Sequence, residues 1–215
     1  MKNLFKKSKT SLALLILLVV TAIGGSIMFT MSYLTDNETH SNAISVGDVR
    51  FDLIDEYPEP PEPDLNEQFV KRIAITNTGD IPCFVRIFVE FSNNKVSQYA
   101  SVTADGTNYY TWADFKNHLP ANWVYIPYEE TGDNAKIGGY FYYTKPLPVG
   151  ETTSYLTQGF KVTFPKQKEV LPYEINVYAE ALQTRNHNGV EYTGTSAYRD
   201  AWLEFISRKE LTKGS

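Results

Sequence analysis

The sequence predicts an all-β protein, a sandwich of antiparallel strands that follows an apolar N-terminal segment. Fifteen Tyr and twelve Phe against three Met favour strands, because flat aromatic side chains suit a pleated surface. Several stretches alternate apolar and polar residues, and nothing indicates the strand–helix–strand order of parallel sheets. The 215 residues suffice for one sandwich-sized domain, which we place at 33–215, and a short targeting segment before it.

The first residues have the order of a secretory signal, with basic residues, an apolar stretch and then a polar flank. Four lysines lie within the first nine residues, and 12–31 carries no charge. We expect cleavage between Ser32 and Tyr33, which makes 1–32 a signal peptide. The apolar stretch is also long enough to stay in the bilayer as an anchoring helix, the alternative reading. Both readings place the rest of the chain outside the cell, in the surrounding matrix or at the surface.

The charge of the chain argues against a nucleic-acid partner. The formal net charge is −5, and removal of 1–32 takes away four lysines and no acids, so that it becomes −9. A basic groove for nucleic acid is not expected in so acidic a chain. We expect the membrane to be contacted only through the N-terminal helix.

Clean alternation predicts the strands and their faces. In 83–91 and 173–181 the odd positions are apolar, while the even positions include Arg86 and Glu90. One face of each strand should therefore lie on the core and the other should face water. Further strands are predicted at 69–76, 122–128, 139–144 and 158–164.

Two connections can also be interpreted. An early strand over 42–54 changes the phase of its apolar residues at Gly47 and Asp48, which indicates a β-bulge. Residues 77–80, Asn-Thr-Gly-Asp, predict a short hairpin loop.

Short helices complete the predicted fold. Thr111 and Asp114 predict a capped start for a helix over 112–118. A C-terminal amphipathic helix is predicted from three aromatic residues that share one helical face, Tyr198, Trp202 and Phe205.

The sequence offers no catalytic residue, no metal-binding motif and no cofactor site, so we do not expect an enzyme. The histidines, His40, His118 and His187, lack the spacing of a helical zinc site. The single cysteine, Cys83, shares the inward phase of its strand and should be a buried thiol. Calcium binding stays open for the acids Asp48, Asp52, Asp105 and Asp133, although they lack the spacing of a calcium-binding loop.

Two surface features suggest contacts. Residues 55–64 contain four prolines and five acids, which favours an extended polyproline conformation in a solvated loop or a docking segment. Residues 140–143 place aromatic side chains on both faces of one strand. We expect Tyr140 and Tyr142 to form a contact surface, for self-association or for carbohydrate.

The order of the motifs resembles a known family. After the leader come Tyr33-Leu34-Thr35-Asp36, Ser41-Asn42 and Val46-Gly47-Asp48-Val49. Further matches lie at 75–80, 84–86, 139–143, 147–153, 177–183 and 201–202. Together these resemble the exported proteins of Gram-positive bacteria whose leader is removed by a dedicated, SipW-type signal peptidase, a group that includes TasA and camelysin. Leu34 stands where an aromatic residue is commoner in that group.

The resemblance implies a jelly-roll-like sandwich and a role in biofilm matrix or surface fibres. In TasA-like fibres a segment freed by cleavage pairs with the next subunit as a donated strand, and here that segment corresponds to 33–43, beginning at Tyr33. The implied partners are the signal peptidase and another copy or a related matrix protein. Two alternatives remain: a surface module that binds wall polysaccharide or a matrix partner, and a camelysin-like metallopeptidase, for which the residues offer little.

Overall fold

The chain forms two β-sheets of five strands each. The computed structural model describes residues 44–46, 49–56 and 64–213, with side chains for 49–56 and 64–209. Its strands are β1 Ile44–Val46, β2 Phe51–Glu56, β3 Asn66–Asn77, β4 Cys83–Phe91, β5 Ala100–Thr103, β6 Tyr110–Thr111, β7 Trp123–Ile126, β8 Tyr140–Tyr143, β9 Thr157–Thr163 and β10 Ile175–Gln183.

In each sheet, the spatial order of the strands differs from their order along the chain. Sheet 1 has the order β1-β10-β4-β8-β7, and sheet 2 has the order β2-β3-β9-β5-β6. Neighbouring strands are antiparallel except β1, which runs parallel to β10. The predicted all-β, largely antiparallel architecture is therefore confirmed. The parallel pair at the edge of sheet 1 was not predicted.

The core lies between the two sheets, where the inward-facing positions of the alternating strands meet. Val85, Ile87 and Val177 of sheet 1 are buried in one apolar cluster with Phe160 and Val162 of sheet 2. Apolar side chains on facing sheets remove each other from water, which is the main driving force for this arrangement. The predicted inward face of β4 and β10 is confirmed.

The predicted strand over 42–54 is in fact two strands in different sheets. β1 pairs with β10 in sheet 1, whereas β2 pairs with β3 in sheet 2. The prediction of one strand with a bulge is therefore wrong, because the strands before and after the phase change belong to different sheets. Gly47 and Asp48 themselves lie outside the described residues. The apolar residues change from even to odd positions because the two sheets face each other, so that the core lies on opposite sides of them.

The loop 77–80 also crosses between sheets, so the hairpin prediction is wrong. β3 lies in sheet 2 and β4 in sheet 1. The buried Asn77 side chain holds the crossing: its amide nitrogen donates to Ile81 O and Leu147 O, and its oxygen accepts from Gly79 N at 3.0 Å. Glycine is required here, since a Cβ at Gly79 would lie 2.8 Å from Arg50 N.

The helices among the described residues are short except the last. They are α1 Asn94–Ser97, α2 Trp112–Phe115, α3 Asp133–Ile137 and α4 Ala197–Lys213, with a 3₁₀ turn at Gln167–Glu169. Thr111 caps α2 as predicted, accepting from Asp114 N, although the helix ends three residues early. The C-terminal helix is confirmed. Within the described ranges, no helix combines the length and apolar character needed to cross a bilayer.

The first two residues of the acidic, proline-rich segment 55–64 lie in a strand and not in the predicted loop. Asp55 and Glu56 belong to β2. Asp55 accepts a hydrogen bond from the buried Lys71 ammonium at 2.6 Å, and Glu56 pairs with Arg72 at 3.0 Å. Residues 57–63 lie outside the described residues, and only Glu59 and Glu62 within them are acidic.

The Cys83 thiol is buried as predicted, and burial raises its pKa to about 12. We expect native protein to react with a thiol reagent such as DTNB only at the rate of unfolding, because the thiolate is the nucleophile and the sulfur is inaccessible. The measurement is the absorbance change with and without denaturant. Rapid labelling of the native protein at neutral pH would contradict the burial.

Candidate functional site

The outer face of sheet 1 carries a packed helix, a buried cation and a row of aromatic side chains. Helix α4 lies across half of it and buries Phe84, Tyr142 and Leu182 beneath Ala201 and Trp202. The predicted contact surface of Tyr140 and Tyr142 is therefore wrong for Tyr142, whose side chain is fully buried. Tyr140 stays partly exposed at the edge of the helix.

Arg86 lies at the centre of this covered face, although its even position predicted contact with water. Its guanidinium pairs with Glu180 on β10 and donates to the Tyr142 hydroxyl at 3.0 Å. The guanidinium carbon also lies 3.9 Å from the centroid of the Tyr140 ring and 4.0 Å from that of Trp202. The cation is thus held between two aromatic faces and one carboxylate, an arrangement that offsets the cost of burying charge.

The tyrosines beside Arg86 remain neutral. Burial raises the pKa of Tyr142 to about 12, and its hydroxyl donates to Ile137 O at 2.6 Å. Burial also raises the pKa of Tyr140, against the opposing effect of Arg86. Each polar group of Arg86 and Tyr142 therefore has a structural partner, and the cluster joins α4 to sheet 1.

The uncovered half of this face carries an aromatic strip, formed by Phe88, Tyr140 and Tyr178. Phe88 lies 5.4 Å from Tyr140 and 6.2 Å from Tyr178, measured between ring centroids, and all three are partly exposed. Phe88 and Tyr178 were missed because they occupy positions read as the polar face. The signal was present in the sequence: the even positions of β4 include Phe84 and Phe88 as well as Arg86.

The aromatic strip adjoins an incompletely paired strand, β10. β1 pairs only with Glu180, Ala181 and Leu182. Over Ile175–Ala179, β10 has β4 on one side and no described strand on the other. Such an edge presents backbone N–H and C=O groups that can pair with a further strand.

The two histidines that the structure describes, and the loop acid Asp105, have structural partners. His118 stacks on Tyr110, and His187 Nδ1 lies 2.6 Å from Glu204 Oε1. Backbone N–H groups of Asn108 and Thr107 hold the pKa of Asp105 well below its usual range. In the described parts of the chain, no group of three or more His, Cys, Asp or Glu could bind a metal ion.

Several predicted site residues lie outside the described residues. These are the cleavage positions Ser32 and Tyr33, the segment 33–43 with Leu34, Thr35 and Asp36, and the loop residues His40 and Asp48.

The described residues define a class, a β protein of two sheets in which a helix covers part of one outer face and strand β10 is only partly paired. No protein-family model, curated protein or solved structure matches the chain.

Proposed function

We propose that this protein is a secreted structural component of a bacterial surface or biofilm matrix, which assembles when residues 33–43 of one copy pair with a sheet edge of another. The proposal includes the finer fold class, a jelly roll, and export through an N-terminal signal helix that a dedicated signal peptidase removes. It is supported by the family resemblance of the motifs and by the half-paired β10.

The observation that carries the proposal is the open edge at Ile175–Ala179. Ile175, Val177 and Ala179 are buried on the core face, while their backbone edge has no described neighbour on one side. A strand added there would gain main-chain hydrogen bonds without changing the core, as in β-augmentation.

The register of β1 indicates which segment fits this edge. Ile44 lies opposite Glu180 in the parallel pair. If the same register continued towards the N-terminus, Ala43 would lie opposite Ala179 and Thr39 opposite Ile175. The edge therefore accommodates residues 39–43, which in the proposed assembly come from a neighbouring copy after cleavage at Ser32 has released them from the membrane.

The test compares the form that starts at Tyr33 with a form that lacks 33–43. The first should form large assemblies in light scattering and negative-stain images, because it keeps the pairing segment. The second should remain monomeric.

A matched pair of variants in the first form isolates the backbone contribution. Ser41→Pro removes an N–H from the segment and should reduce assembly, whereas Ser41→Ala should not. Assembly of the shortened form, or monomers in every case, would refute strand pairing.

A second candidate function, a module that binds wall polysaccharide, is favoured by the aromatic strip. Sugar rings pack against exposed aromatic faces, and Phe88, Tyr140 and Tyr178 present such faces side by side. Tyr178→Ala should then abolish sedimentation with purified wall polysaccharide, whereas Tyr128→Ala, at an exposed tyrosine elsewhere, should not. Casein hydrolysis that a chelator abolishes would instead favour the peptidase.

A further inference from the structure

A groove lies between the end of β10, the turn that follows it and helix α4. Its cavity has a volume of about 360 Å³ and is lined by the apolar side chains of Leu182, Ala201 and Phe205. Tyr192 and His187 add two flat rings to the lining. A groove with apolar and aromatic walls suits an extended chain with proline rings, as in modules that bind polyproline ligands.

The groove carries positive charge in an otherwise acidic protein. Arg185, Arg208 and Lys209 line it, and Glu204 is the only acid among its described lining residues. The Glu204 carboxylate is held within the wall: Oε1 lies 2.6 Å from His187 Nδ1, and Oε2 accepts from the Tyr192 hydroxyl at 2.7 Å. These hydrogen bonds lower the pKa of Glu204, so the carboxylate is ionised. Three cationic side chains and one carboxylate give the described lining of the groove a net positive formal charge.

Residues 57–63 of this chain have the complementary chemistry. They read Tyr-Pro-Glu-Pro-Pro-Glu-Pro, with four prolines and two acids in seven residues. A polyproline helix repeats every three residues, so Glu59 and Glu62 would project from the same side about 9 Å apart. That side can meet Arg185 and Lys209 while the proline rings contact Phe205 and Leu182.

The groove cannot be filled by the segment of the same copy. Eight residue steps from Glu56 to Asp64 span at most about 29 Å. Glu56 lies opposite Arg72. The groove is near the other end of β2, because Phe51 pairs with Asn77, and Asn77 donates to Leu147 O. Leu147 adjoins Cys83, which pairs with the groove residue Gln183. That end is about 17 Å back along β2 from Glu56, and Asn66 lies about 20 Å in the opposite direction. Residues 57–63 would have to run from Glu56 to the groove and then back past Glu56 to Asp64. That path is longer than the span of about 29 Å that these residues can reach when fully extended.

We infer that the groove binds residues 57–63 of a second copy. The inference rests on the proposed self-association and names a second contact for it, separate from the pairing of 33–43. One copy would offer its groove to the next and its own segment to a third. A head-to-tail contact of this kind builds open chains unless its rotation closes a ring.

The test measures binding of a fluorescent peptide with the sequence of 57–63 to the full chain by anisotropy. We expect saturable binding that weakens with salt. Arg185→Glu with Lys209→Glu should weaken it roughly tenfold, since two attractive pairs become repulsive. Arg208 is kept because it lies 3.8 Å from Glu204. The matched control is Lys166→Glu with Lys168→Glu, the same charge change at exposed lysines outside the groove.

Exchanging the charges of the peptide and the groove tests whether the acids of the peptide contact Arg185 and Lys209. A peptide with Glu59→Lys and Glu62→Lys should lose binding to the unaltered chain and regain it with the Arg185→Glu, Lys209→Glu variant. Equal binding of the natural peptide to groove and control variants would overturn the inference, and so would equal binding of a peptide with both acids replaced by Gln. Peptide binding does not use residues 33–43. Failure of strand pairing would therefore leave it intact, and failure of peptide binding would leave strand-paired assemblies.

Discussion

Replacing Arg86 by leucine should lower the free energy of unfolding by about 3–5 kcal/mol, the usual cost of removing one partner of a buried ion pair. The Arg86 side chain is 5% exposed and that of Glu180 is 18% exposed, so the remaining carboxylate would be left largely buried without its cation. The variant would also lose the rings' contacts with the guanidinium. Urea unfolding followed by tryptophan fluorescence measures the effect.

Two further variants show whether the effect comes from the buried pair. Arg50→Leu removes the same residue type from the exposed pair with Asp80, whose side chains are 66% and 75% exposed, and should cost at most about 1 kcal/mol. Arg86→Leu combined with Glu180→Leu should recover much of the loss, because no charge stays buried. If Arg86→Leu costs no more than Arg50→Leu, the assignment of a buried, coupled pair is incorrect.

Replacing Trp202 by alanine should lower the free energy of unfolding by about 3–5 kcal/mol, as expected for a large aromatic residue in a core. Trp202 belongs to α4 and is fully buried between the helix and sheet 1, where it contacts Arg86, Tyr142 and Phe205. Its loss should loosen the helix from sheet 1 before the two-sheet core unfolds. Hydrogen exchange of α4 and limited proteolysis would detect this loosening.

A second variant at position 202 shows how the loss of stability depends on the size of the side chain. Trp202→Phe keeps an aromatic ring and removes the buried Nε1–H, which has no hydrogen-bond partner among the described residues. We therefore expect it to cost less than half as much as Trp202→Ala. Unchanged protection of α4 in the alanine variant would show that Trp202 does not hold the helix. Loosening of α4 should also abolish peptide binding, since Ala201 and Phe205 line the groove.

Alternation predicted the strands well because it reports directly on burial. The odd residues of β4, from Cys83 to Phe91, all lie in the core, and strand β4 has the predicted bounds. Thr111 also capped its helix as expected, since a capping interaction involves residues only three apart. Features that depend on near neighbours in the chain were predictable.

The failures have a common physical cause, which is packing between distant parts of the chain. Arg86 was placed on a solvated face because its strand alternates, and Tyr142 was placed on an outer contact surface because 140–143 carries aromatic residues on both faces. Helix α4 covers both residues, although it lies more than fifty residues away in sequence. The crossings at 47–48 and 77–80 were read as a bulge and a hairpin, because a turn sequence does not reveal which sheet the next strand joins.

The sequence by itself determined the all-β class, the core face of the main strands, the buried thiol and the presence of a C-terminal helix. Each of these follows from residue type and from periods of two or 3.6 residues. Only the tertiary structure decided which outer face the helix covers, where β10 has no partner among the described strands and how the cationic groove forms. These features join residues that are far apart in sequence, and the free energy of their contacts depends on geometry that no local pattern contains.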